Sequence, residues 1–405
     1  MKNIISTICF ILFFSNTSNI CFGQWVQVSN GMPSPAYVGT LTVKDNWIFA
    51  GASGSGVYFS TNNGSVWTQT TLTNHTIGTL SSNSNSVFAG ASYGSYRSSD
   101  NGVTWSGMDV GSVYSFAANG NYVYAGKQNG FCLSTNNGIN WPYCSLPNMG
   151  IRSVAVSGNY VFAGTVYSPS ISWGLYRSTN AGYNFSYNIA LKVVNTLAIN
   201  GNIVYAGLSD SGGVYVSTNL GDSWLATSLN NKSIYSLTIS NNIVFAGCSN
   251  YPVGYGGVYM STNYGANWLQ KNQGFNPLPS VEALIITGNY IFAGTDNGIW
   301  RRSLSEIIGV RNISTEIPDG FSLSQNYPNP FNPSTNVKFD IPKSSFVRLS
   351  IFDISGREVD VLVNERVQPG SYQVDWNASS FSSGVYFYKL TTENNSETKK
   401  MILIK

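Results

Sequence analysis

The chain has 405 residues, carries 21 Lys/Arg against 18 Asp/Glu for a formal net charge of +3, and only 10% of its residues are charged. The basic residues are scattered, which excludes the concentrated positive surface that nucleic acid or an anionic membrane would require. Residues 24–306 hold ten Lys/Arg and eight Asp/Glu, whereas residues 307–405 hold ten of each, so the length divides into a region far below the usual charge content of about 25% and a more ordinary one.

The first 23 residues read as a targeting segment. Lys2 supplies a positive start, Ile4 to Phe14 an apolar run, and Cys21 and Gly23 small residues that predict cleavage before Gln24. A lipoprotein reading through Cys21 is weaker, because Ser18-Asn19-Ile20 lacks a small apolar approach. No later stretch reaches the roughly 18 uninterrupted apolar residues of a spanning helix. Cleavage leaves Cys132, Cys144 and Cys248, an odd count that makes no disulfide framework. Cys132 and Cys144 flank one turn on the two strands of a hairpin, where a bridge is conceivable. Burial as three small apolar side chains is the expectation.

From there two patterns alternate along the chain. An apolar strand ends in aromatic-Ala-Gly seven times, from Phe49-Ala50-Gly51 to Phe292-Ala293-Gly294. Six of these are followed by Ser-x-Asn/Asp-x-Gly-x-x-aromatic, beginning with Ser60 to Trp67 and returning every 36 to 44 residues. A period of that size predicts a propeller or solenoid. The third residue of each box (Asn62, Asp100, Asn136, Asn180, Asn219, Asn263) can accept backbone N–H bonds, and the glycine (Gly64, Gly102, Gly138, Gly182, Gly221, Gly265) admits positive φ, so each box is a hairpin turn. The aromatic after it (Trp67, Trp105, Trp141, Phe185, Trp224, Trp268) starts the next strand and can bury on the order of 150–250 Å². Another apolar strand precedes each Ala-Gly strand, which gives four short antiparallel strands per unit. The seventh unit, from Val281 to Arg301, lacks a box and therefore an outer strand. Gln24-Trp25-Val26-Gln27-Val28 repeats the Trp-x-Gln spacing of Val66-Trp67-Thr68-Gln69-Thr70, so it is expected to complete the seventh sheet and close the ring.

On these boxes the chain resembles the Asp-box (BNR) repeat proteins, which include sialidases, xyloglucan-cleaving glycosidases, sortilin-like receptors and photosystem-assembly-factor-like propellers. The count of units gives seven blades, and the resemblance implies a β-propeller with the boxes on the side away from the usual ligand face.

After Glu306 the repeat stops. Residues 307–320 read as a linker, and Pro318, Pro328, Pro330 and Pro333 mark irregular chain. Beyond it Val337, Phe339 and Ile341, then Tyr372, Val374 and Trp376, alternate with polar residues as half-buried strands. Six or seven such strands make a small immunoglobulin-like β-sandwich over residues 321–405, and the fold class expected is all-β. Asn326-Tyr327-Pro328-Asn329-Pro330-Phe331-Asn332-Pro333, Ile351-Phe352-Asp353 with Gly356-Arg357, Pro369-Gly370-Ser371-Tyr372, Ser383-Gly384-Val385-Tyr386-Phe387-Tyr388 and the basic end from Lys399 to Lys405 resemble the type A C-terminal sorting domain of type IX secretion. That implies a Gram-negative cargo, recognised by the type IX machinery through this domain and then released or tethered at the cell surface.

Chemistry is sparse. Asp100 and Asp222 belong to boxes and Asp45 to a turn on the box side, which leaves Asp210, Glu282 and Asp296 as pocket carboxylates should the propeller be a glycoside hydrolase. Arg97 and Arg177 precede box serines, where other blades carry apolar residues, so they are expected to cover apolar surface rather than clamp a substrate. His75, the single histidine, is an exposed loop residue with no partners for a triad or a zinc site. No phosphate loop, metal or cofactor is expected. Two long loops opposite the boxes carry Tyr167 and Trp173, and Tyr251 and Tyr255, which with Tyr93 are candidates for stacking on sugar rings or anchoring a protein. The alternative is that these rings pack their own loops. The function expected is a secreted or surface binding module, with a polysaccharide hydrolase as the alternative.

Overall fold

The computed structural model describes residues 24–166, 173–240, 243–304, 307, 311–314, 316–367, 369–378 and 381–405. The targeting segment and Tyr167 lie outside them. Among the described residues no helix is long and apolar enough to cross a membrane.

Seven four-stranded antiparallel sheets account for the repeats. Their inner strands are Val38–Lys44, Ile77–Ser82, Val113–Asn119, Ile151–Ser157, Val194–Asn200, Ile234–Ser240 and Val281–Thr287, blades 1 to 7 here. Each contacts the next, and the seventh contacts the first, so the sheets close into a ring. In blade 1 the inner strand pairs with Trp47–Ala52, which pairs with Gly56–Ser60, which pairs with the two-residue outer strand Thr68–Gln69. In blade 7 the outer strand is Val26–Gln27, paired with Gly298–Ser303. Its neighbour Trp25 is buried, donates its indole N–H to the Lys271 carbonyl at 2.7 Å and stacks on Phe275 with ring centroids 4.9 Å apart.

The aromatic-Ala-Gly pattern follows from how adjacent blades meet. Alternation puts its aromatic and its glycine on one face. A Cβ on any of Gly51, Gly90, Gly126, Gly164, Gly207, Gly247 or Gly294 would lie 2.6–2.8 Å from the first inner-strand residue of the following blade. The aromatic on the same face supports the following box: Phe292, Phe49, Phe88, Tyr124 and Phe162 approach to within 2.7–3.5 Å of a Cβ built on Gly64, Gly102, Gly138, Gly182 and Gly221.

All six boxes share one hydrogen-bond pattern. The serine hydroxyl donates to the Asn or Asp Oδ1 at 2.8–3.0 Å, accepts the glycine N–H at 2.7–3.0 Å, and the same Oδ1 accepts the N–H before the aromatic at 2.9–3.0 Å. In the second box these bonds, from Thr104 above all, hold the Asp100 carboxyl down at about 2. The turn also needs positive φ one residue before the glycine, at Asn63, Asn101, Asn137, Ala181, Leu220 and Tyr264 (φ 53–58°). The box aromatics reach the preceding blade: Trp67 Nε1 donates to the Val28 carbonyl, Trp224 to Asn188 and Trp268 to Thr227.

The cysteine expectation needs correction. Cys132 and Cys144 stand directly opposite across the two outer strands of blade 3, with Cα atoms 4.1 Å apart, and form a disulfide. Pairing register brings the two sulfurs together, which spacing around the turn left undecided. Among the described residues the free thiol is Cys248, which is buried.

The remaining strands form two four-stranded sheets, one containing Ser334–Ile341 and Gly370–Asn377, the other Ser345–Phe352 and Gly384–Thr391. Val337, Phe339, Val374 and Trp376 from the first meet Leu349, Ile351, Tyr388 and Leu390 from the second in one core. Arg311–Ser314, within the span read as linker, is a strand paired with Gly370–Asn377. Asn326 is buried and donates to the Pro328 carbonyl and to Thr335, while Phe331 packs on Trp376.

Replacing Trp25 by Ala is expected to cost about 3–5 kcal/mol, as for other buried tryptophans, read from urea unfolding by circular dichroism. A loss below about 1 kcal/mol would show that the strand does not hold the ring. Non-reduced peptide mapping should keep the Cys132 and Cys144 peptides joined; alkylation of Cys144 without reductant would contradict the bridge.

Candidate functional site

In every blade the inner strand slips register after its first residue. The shift falls between Val38 and Thr40, Ile77 and Thr79, Val113 and Ser115, Ile151 and Ser153, Val194 and Thr196, Ile234 and Ser236, and Val281 and Ala283. Such a bulge takes the skipped residue out of the ladder and re-aims its side chain. Seven bulges therefore crown the end of the ring opposite the boxes with Gly39, Gly78, Tyr114, Arg152, Asn195, Tyr235 and Glu282. The next residue fixes the crown. Thr40 and Thr79 accept the Leu80 and Phe116 amides of the following blade, Ser115 accepts the Val154 amide, and Ser153 donates to the Val194 carbonyl at 2.8 Å.

Glu282 is the chemical centre of this crown. It is half-buried, and burial raises its carboxyl to about 7, aided by the Asp296 charge and opposed by the Tyr37 hydroxyl and by Arg152. Tyr37 enters from the segment joining blades 7 and 1. Its hydroxyl acts on the Glu282 carboxyl and is itself pushed up, by burial first and then by the Glu282 charge, although 45% of the residue stays accessible. Asp296 sits in the turn of blade 7, where its amide donates to the Ser280 carbonyl. Tyr235, from blade 6, acts electrostatically on Tyr37. Arg152 comes from blade 4, and its charge reaches Glu282 across the ring.

The structure thus brings together two of the three carboxylates singled out in the sequence. Glu282 and Asp296 share one site. Asp210 lies in a turn of blade 5, where its Oδ2 accepts the Ser209 hydroxyl, its carbonyl accepts Lys192, and its own φ is positive; it is a turn residue.

The loop aromatics surround the same face. Tyr93 and Tyr251 are almost fully exposed, at 87% and 85%. Tyr255 lies under Lys232, whose Nζ stands 3.9 Å from the ring centroid. The Trp173 carbonyl accepts the Tyr187 hydroxyl. Arg177 donates to the Leu220 carbonyl at 2.8 Å and pairs with Asp222, both in the next blade's box, so it braces two blades. Arg97 donates to Ser86. His75 stacks obliquely on Tyr96, and among the described residues no three His, Cys, Asp or Glu gather to hold a metal.

Comparison with known proteins separates the two regions. Residues 325–405 match the secretion system C-terminal sorting domain family. No curated protein matches the chain in sequence. Among solved structures it resembles PorZ, a bacterial surface component of the type IX secretion system of Porphyromonas gingivalis, with TM-score 0.52 and 14% identity over 90% of this chain; the chain spans 59% of that one. It also resembles the GH74 enzyme of Niastella koreensis, with TM-score 0.54 and 14% identity over 94% of this chain and 75% of that one. YCF48 bound to D1 peptide gives TM-score 0.54 and 13% identity over 70% of this chain and 98% of that one. At these identities the likeness shows a propeller fold. The sorting domain shows an exported protein, handled by the type IX machinery and delivered to the outer surface or released.

Glu282 ionises near 4.5 in an unfolded chain and near 7 in the fold. Between those values the unfolded chain binds fewer protons, so stability falls as pH rises from about 4.5 through about 7. Glu282→Gln should lessen the loss between pH 4 and pH 8 by on the order of 2–3 kcal/mol, measured by urea unfolding. An undiminished fall in the variant would remove Glu282 as its source.

Proposed function

We propose that the propeller is a binding module that the type IX route carries to the cell exterior, and that its carbohydrate or protein ligand seats on the face opposite the boxes. In this reading residues 1–23 are removed on export, residues 24–306 form the module and residues 321–405 direct it outward. The bulge crown is the observation that carries the reading. The frame of each blade repeats, yet this one column holds Gly, Gly, Tyr, Arg, Asn, Tyr and Glu, and variable side chains on an unvarying support suit recognition. Exposed tyrosines around it add surface for stacking on sugars or anchoring a protein.

A hydrolase is the second reading, favoured by the adjacency of Glu282 and Asp296 with Glu282 held protonated near neutral pH, as a general acid requires. Native gels containing a panel of polysaccharides, with parallel assays for new reducing ends, separate the two. Retardation without cleavage is the expected result. Reducing ends that disappear in Glu282→Gln would establish the hydrolase, and neither effect on any polysaccharide would remove the carbohydrate.

A further inference from the structure

The crown is lopsided. Blades 3 to 6 fill their bulge positions with Tyr114, Arg152, Asn195 and Tyr235, whereas blades 1 and 2 place Gly39 and Gly78 there. A Cβ on Gly78 would meet no atom within 4 Å, and one on Gly39 would touch only the edge of the Tyr37 ring, at 3.4 Å, and the Ile77 carbonyl oxygen, at 3.9 Å. Neither glycine has positive φ, so backbone conformation does not demand glycine at either position. The absence of side chains leaves an open sector. Around it stand Glu282 and Asp296 of blade 7, the exposed ring of Tyr37, and Tyr93 in the blade 2 turn that follows Ala91, the partner of Ile77.

We infer that this sector, between blades 7 and 2, is the ligand seat, and that it takes a neutral sugar residue of a glycan. The inference rests on the binding-module reading and adds its place and chemistry. Carboxyl groups of Glu282 and Asp296 accept hydroxyl donors, as adjacent hydroxyls of a pyranose offer. Tyr37 and Tyr93 supply flat apolar faces for the C–H side of the ring. An acidic sugar meets two carboxyl groups here against one arginine, Arg152, whose charge is already engaged with Glu282, so charge selects against it.

The decisive variant is Gly78→Tyr. It gives blade 2 the side chain that blades 3 and 6 already carry at the equivalent position, fills the sector, and needs no strained backbone. The purified full chain would be run in native gels containing a neutral glucan, a neutral mannan or the acidic polygalacturonate. For a neutral polysaccharide that retards the unmodified protein, Gly78→Tyr should weaken retardation at least tenfold while the melting temperature is unchanged. Equal retardation of Gly78→Tyr and the unmodified protein would overturn the seat and leave the binding module standing. Retardation by polygalacturonate alone would overturn the chemistry. No retardation by any of the three would remove the carbohydrate reading itself, and this inference with it. A Gly78→Tyr protein that melts early would be replaced by Tyr37→Ala, which removes one wall of the sector and is expected to weaken retardation equally.

Discussion

Each inner strand lies against the glycine of the preceding sheet, and the rest of the ring depends on that approach. A methyl group at any of the seven glycines would push neighbouring blades apart. With the gap closed, threonine and serine hydroxyls one residue beyond the bulge can reach the next blade's backbone. These bonds satisfy groups on the inner edge of each sheet that would otherwise lack partners. The aromatic two residues before the glycine then falls beneath the next box, so the contacts made at one end and at the other come from the two ends of one tripeptide. Spacing within that tripeptide, more than any long-range attraction, sets how blades stack.

Much of this was legible because the repeat displays its own alignment. Six boxes against seven Ala-Gly strands locate an incomplete seventh sheet, and the Trp-x-Gln echo at Trp25 points to the missing strand. Other features escaped for identifiable reasons. The positive φ before each box glycine falls on Asn, Ala, Leu and Tyr alike, so residue type gives no signal. The bulge is backbone register and leaves no mark except a variable column, visible only once the blades are aligned on the valine or isoleucine before it. The disulfide depended on cross-strand pairing that spacing alone left open. Tyr37 lies between the repeat units, outside any pattern, and its influence on Glu282 couples residues from opposite ends of the propeller sequence. Glu282 and Asp296 stood out because charge is so scarce in this region, and their placement at one end of blade 7 follows from the paired strands that join them.

Scaffold and recognition are separated within a single strand. The first inner residue is buried between blades, the second leaves the ladder, and the third binds the neighbouring blade. Substitutions at the second position alter the crown without touching either contact that holds the ring. The same economy governs charge: with few ionisable groups in the propeller, a half-buried glutamate has few competitors for the local field.

Closing the seventh sheet with the first strand carries a kinetic consequence. Trp25 bonds the carbonyl of a residue 246 positions later, so no partial chain that lacks the last repeats can seal the ring. Until then both end sheets present unpaired edges, and the search for closure spans nearly the whole propeller sequence. The cost of closing so long a loop grows only logarithmically with its length. Contacts this remote in sequence nevertheless slow folding, so the final and rate-setting act of assembly is expected to be the meeting of the two ends.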